Sequence, residues 1–161
     1  MMKRILFLII PILFVTTATA QNFNMQAGTF NYDCTSNGTL FDSGGAGGNY
    51  GNNQNIVMEI CPSGTGDPIA LSFVSATFGA NDDLCIYDGS TNPADLLYCF
   101  NDDNSLPVGT NIRTTVTNAS GCLFVQFISD GSGTGNFEFD IICLPPCQSV
   151  TADTVSLDPS I

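Results

Sequence analysis

Histidine and tryptophan are missing from this 161-residue chain, and lysine and arginine together number only three. Without an imidazole there is no His general base, no Ser-His-Asp or Cys-His nucleophile system and no His-ligated zinc. Two of the three cations, Lys3 and Arg4, open an N-terminal stretch built like a secretory signal. An apolar run over residues 5–15 and a small-residue Ala18-Thr19-Ala20 cleavage site follow them. That run is too short to span a bilayer, so residues 1–20 are read as a signal peptide and the mature chain as secreted or cell-surface, starting near Gln21. No membrane insertion is expected after cleavage. Removal of the leader sets Arg113 alone against fifteen acidic side chains, a net charge of −14. No lysine then remains for Schiff-base chemistry. A single arginine cannot neutralise a run of phosphates, which excludes nucleic acid and anionic lipid surfaces as partners. Cations and basic protein surfaces are favoured.

Amphipathic helices are also lacking; period-two alternation takes their place. Ile56, Met58 and Ile60 alternate with Val57 and Glu59, and Ile69, Leu71 and Phe73 with Ala70 and Ser72. The same pattern recurs through Leu123, Val125 and Phe127, and through Phe137, Phe139 and Ile141. Short alternating segments between Gly, Asn, Asp and Pro clusters predict an all-β, antiparallel two-sheet sandwich with one buried face per strand. The expected buried face includes Met58, Ile60, Leu71, Phe73, Ile86, Val125, Phe127, Phe139 and Ile141. The predicted organisation is an N-terminal lead over residues 21–31 and one domain over 32–147. Residues 148–161 read as a linker or the start of a further domain of a larger exported protein.

Seven cysteines in an exported chain imply a disulfide framework with one left over. Cys85 and Cys99 bracket a reversal at DGSTNPADLL, so they are expected to pair. Strands folding back about Ser132 would set Cys122 opposite Cys143. Cys34 and Cys61 would tie the first strand to the end of the Ile56–Ile60 segment, leaving Cys147 unpaired within the domain. A cysteine metal cluster lacks the paired short spacings it needs.

Two acidic loops carry the chemistry that remains. NDDLCIYDG (residues 81–89) puts Asp82 and Asp83 just ahead of a short apolar strand and closes on a Tyr-Asp-Gly turn. FISDGSGTGNFEF (residues 127–139) has the same build of strand, Asp, glycines and strand. Oxygen ligands beside rigid strands suit a calcium-dependent contact surface. An EF-hand fails at Ile141, which stands where the bidentate Glu belongs. The glycine cluster DSGGAGGNYG (residues 42–51) lacks the Lys and helix of a phosphate loop. No catalytic residues are assigned: a carboxylate-pair glycosidase needs a raised-pKa carboxyl in a hydrophobic pocket, which exposed loops do not suggest.

In order along the chain, NYGNN, IALSFVSATF, NDDLCIYDG, the LLYCF segment around Cys99 and VQFISDGS resemble the CUB domain family over residues 34–143, most closely its bacterial exported variants. The resemblance implies a jelly-roll-like sandwich without catalytic activity, and in many members a Ca²⁺ ion that orients end loops for gripping a partner. It places that ion's ligands at Asp82, Asp130 and Ser132. The family's upstream Glu is missing, because Phe78-Gly79-Ala80 runs straight into Asn81, and Asp83 or Asn81 is the substitute at hand. The resulting expectation is a non-catalytic recognition or adhesion module that binds a protein or glycan through its end loops. The alternative is a substrate-positioning domain of an exported hydrolase or protease whose catalytic part lies beyond residue 161.

Overall fold

A computed structural model describes residues 20–64, 67–89 and 95–144. The stretch read as a signal peptide (residues 1–20, apart from Ala20), Cys147 and the 148–161 segment lie outside those residues. The described chain is all-β, with strands β1 (Gln21–Asn24), β2 (Gly28–Tyr32), β3 (Gly38–Phe41), β4 (Asn55–Pro62) and β5 (Ile69–Thr77). β6 (Asp83–Asp88), β7 (Leu96–Phe100), β8 (Asn111–Arg113), β9 (Leu123–Ile128) and β10 (Asn136–Cys143) follow. They form two five-stranded sheets packed face to face, ordered β1-β3-β10-β5-β8 and β2-β4-β9-β6-β7.

Alternation along each strand does what the period-two pattern requires. β6 buries Leu84, Ile86 and Asp88 and leaves Asp83, Cys85 and Tyr87 half-buried. All nine residues expected on the buried face are buried, and the rings of Phe73, Phe100 and Phe139 meet at 5.2–5.7 Å in the middle of the core. Aromatic contacts of that kind add to area burial and give the core one preferred packing.

Two features differ from expectation. The 21–31 lead is part of the domain: β1 runs parallel to β3 and β2 parallel to β4, so it supplies the edge strand of both sheets. Its alternation is short and polar, and pairing along an edge rather than burial orders it. The sandwich is therefore antiparallel except at those two edges.

The disulfide pattern also differs. Cys85 and Cys99 are joined, as expected, from directly opposed positions on β6 and β7. The other two expected pairs, Cys34–Cys61 and Cys122–Cys143, do not form; the bridges are Cys34–Cys143 and Cys61–Cys122. The hairpin assumed about Ser132 does not exist, because β9 lies in one sheet and β10 in the other. β9 instead pairs antiparallel with β4, with Ile60 opposite Leu123, which sets Cys61 beside Cys122 at a Cα separation of 4.2 Å. Cys34 follows β2 and crosses to the end of β10 in the opposite sheet.

Every connection between consecutive strands except β6–β7 passes from one sheet to the other. The loops therefore gather at two ends. The Cys34–Cys143 and Cys61–Cys122 bridges close one end, together with Asp88, whose buried carboxylate accepts from Thr115 N and Asn118 Nδ2. The opposite end, formed by residues 42–54, 78–82 and 129–135, has no covalent staple among the described residues.

Candidate functional site at the unstapled end

Asp82 is the centre of this end. It has no solvent exposure, and each carboxylate oxygen has a donor. Tyr50 Oη donates to Oδ2 at 2.8 Å, and the Asp130 backbone N–H donates to Oδ1 at 2.8 Å. Tyr50 Oη in turn accepts the Gly79 N–H at 2.8 Å. One carboxylate thus joins three loops that are 32 and 48 residues apart in sequence. Burial, with the adjacent Asp82 charge adding to it, raises the Tyr50 pKa far above the ordinary phenol value. Tyr50 is accordingly a fixed neutral donor across the accessible pH range.

The loops approach so closely that two glycines have no substitute. A Cβ on Gly135 would lie 1.9 Å from Thr77 O, and one on Gly79 would lie 2.6 Å from Asp82 Oδ2. Both lie below any real contact distance, so the backbone could not close over Asp82 with a side chain there.

Asp130 stands in front of this hub. Its Oδ1 accepts the Ser132 N–H at 2.7 Å and the Ser132 hydroxyl at 3.2 Å, an Asx turn that the Asp-Gly-Ser sequence favours. Asn81 Nδ2 lies 3.4 Å from Oδ2. Donation by the Ser132 N–H holds the Asp130 carboxyl below the usual aspartate range. Asn53, at φ 57°, donates its N–H to Asp130 O at 2.6 Å, and Asn52 Nδ2 reaches Gly131 O at 3.2 Å. Asn81 also has a positive φ, 65°. Asparagine tolerates this left-handed backbone better than other residues with a Cβ, which accounts for its use at both positions.

Of the residues singled out from sequence, Asp82, Asp130 and Ser132 come together, with Asn81 beside them. Asp83 does not join them. As the first residue of β6 it alternates with Asp82 and lies on the outward side with Cys85. Tyr50 was visible only as a letter in NYGNN, and no spacing rule ties it to Asp82. Gln54 and Ser129 carry no signal in the sequence either, yet Ser129 Oγ accepts the Gln54 N–H at 3.0 Å and donates to Gly51 O at 2.8 Å, tying the 42–54 loop to the end of β9.

Two carboxylates from separate loops thus meet here, Asp82 accepting the Asp130 N–H, while Asn81 turns its amide nitrogen toward Asp130. Glu59, Cys61 and Cys122 also lie within ligand distance of one another, but the two sulfurs are joined in a disulfide and are not thiolate ligands.

Fold and site together define a disulfide-stapled β-sandwich whose loops converge on a buried aspartate at the end away from its inter-loop staples. No protein-family model matches the chain, and no curated protein sequence matches it. Three disulfides, with no helix among the described residues long and apolar enough to cross a membrane, are compatible with an extracellular protein.

Proposed function

We propose that this chain is a non-catalytic recognition module of the CUB type, secreted as part of a larger protein, whose unstapled end grips a protein or glycan partner with the help of Ca²⁺. The observation that carries this reading is the Asp82 hub. A carboxylate buried to zero exposure between a tyrosine and a backbone amide pre-organises three loops that would otherwise order only on binding. Tyr50 lies in NYGNN and Asp82 in NDDLCIYDG, so two of the stretches that resemble the CUB family meet at this hydrogen bond. Ca²⁺ between Asp82, Asp130 and Asn81 would offset the repulsion of the two carboxylates and tie the loops further.

Two charged ligands imply an affinity of the extracellular grade, with Kd about 0.1 mM. At millimolar Ca²⁺ the stabilisation is then about 1.4 kcal/mol. Melting measured with Ca²⁺, with Mg²⁺ and with chelator tests the ion. The wild type should melt higher with Ca²⁺ and less so with Mg²⁺, and Asp130→Ala should not respond. Identical melting of wild type and Asp130→Ala under all three conditions removes calcium from the proposal.

A further inference from the structure

We propose that a second site, on the outer face of the first sheet, takes the ammonium group of a lysine side chain from a partner protein. The site shares the 42–54 loop with the Asp82 hub but uses neither Asp82, Asp130 nor a metal. A cleft of about 120 Å³ lies where the glycine-rich loop after β3 folds over the sheet, lined by Phe41, Ser75, Asn136, Glu138 and the backbone of Gly45 and Gly48. At about 30 Å³ per water it has room for about four, enough for one side-chain end rather than an oligosaccharide.

Three observations define its chemistry. Glu138 is half-buried yet its side chain has no hydrogen bond or ion pair among the described residues, in a chain whose described part holds one basic side chain. A carboxylate with no donor of its own favours an incoming cation. Second, Glu138 is opposite Phe41 on β3 and opposite Ser75 on β5, so ring, carboxylate and hydroxyl form one row across three strands. Third, that row depends on a bulge. β10 pairs Phe139 with Phe73 and then Glu138 with Ser75, skipping Val74, so a hydroxyl rather than an isopropyl group faces the carboxylate.

The roof is equally specific. A Cβ on Gly48 would sit 2.5 Å from Gly44 O, and Gly45 has φ +77°. Glycine at these positions lets the loop fold tightly on itself above the sheet. An ammonium has three N–H donors, which the carboxylate, the Ser75 hydroxyl and a backbone carbonyl of the loop can accept. Phe41 supplies a ring for the alkyl stem and the cation. A neutral polyol would leave the Glu138 charge uncompensated.

An amide NMR titration of the folded protein in chelator, at low ionic strength, tests the site with the peptide Ac-Gly-Lys-Gly-NH₂. Shifts should appear at Gly45, Gly48, Ser75 and Glu138 and should weaken with added salt. The peptide acetylated at Nζ should be silent. Glu138→Gln should melt like the wild type, because Glu138 has no partner to lose, and should bind about ten-fold more weakly or worse. Equal binding of the acetylated peptide, unchanged binding by Glu138→Gln, or the same shifts with methyl glucoside would overturn the proposal. Binding of n-butylammonium without binding of the peptide would assign the cleft to free amines and overturn the lysine assignment. Chelator is present throughout, so failure here leaves the calcium-assisted end untouched.

Discussion

Tyr50→Phe removes one oxygen from the protein, and the structure says what that oxygen does. The ring itself packs against Phe127 at 4.6 Å and Phe78 at 6.4 Å, and those contacts survive the substitution. Two hydrogen bonds go: the one to the Asp82 carboxylate and the one from the Gly79 N–H. A hydrogen bond to a charged group contributes about 1.5–3 kcal/mol, and a buried donor left unpaired costs about 1–3 kcal/mol. Gly79 is half-buried, so water recovers part of the second amount. The sum expected is about 3 kcal/mol, a large fraction of the stability of a domain this size. Urea unfolding followed by far-UV circular dichroism, with m unchanged, measures it. Tyr98→Phe is the control, since its hydroxyl bonds Asn104 in an exposed loop, and a loss below about 1 kcal/mol is expected there. Amide exchange should also quicken at Gly79 and Asp130 while β4 and β9 stay protected. A loss for Tyr50→Phe no larger than for Tyr98→Phe would refute the claim that Asp82 organises the unstapled end.

Non-reducing peptide mapping should recover Cys34–Cys143, Cys61–Cys122 and Cys85–Cys99; a Cys122–Cys143 peptide would put β9 and β10 in one hairpin and overturn the topology. In the loop-entropy account, replacing both Cys61 and Cys122 by Ser costs about 4 kcal/mol against about 3 for Cys85 and Cys99, because the loops close 61 and 14 residues. Leu71→Ala, at a position with no exposure, should lower stability by about 2–5 kcal/mol in the same urea assay, and a neutral outcome would mean β5 presents its other face. The folded Asp130 carboxyl is held below its unfolded pKa, so its contribution is present above about pH 4 and is lost as pH falls through the lower folded value. Melting temperature of Asp130→Ala should accordingly fall less than that of wild type between neutral and acid pH, and parallel profiles would show that the Ser132 turn does not stabilise the charged form.

Much of the architecture could be read from single residues, for a local reason. Alternation in segments such as Ile69-Ala70-Leu71-Ser72-Phe73 depends only on which side of a strand each side chain leaves, so the strands and buried face followed directly. Cys85 and Cys99 could be paired because their strands are neighbours in both sequence and space. Which strand lies beside which is not a local property. β9 and β10 read as a hairpin, and only their membership of different sheets moved Cys122 to Cys61 and Cys143 to Cys34. The weakly patterned QNFN and GTFNY segments gave no sign of being strands, since an edge strand is held by its neighbour's backbone groups.

The same division runs through the functional end. Composition alone excluded His chemistry, because the chain has no imidazole. Asp82 and Asp130 were recognisable as loop carboxylates from their neighbours. Their roles were not: the sandwich crossing brings Tyr50 and the Asp130 amide to Asp82 and turns one carboxylate into a buried anchor, while a shift of one position along the chain sends Asp83 to the outer face. The Phe41–Glu138–Ser75 row belongs wholly to the tertiary structure, since its members come from three strands and meet through a bulge that no stretch of sequence announces.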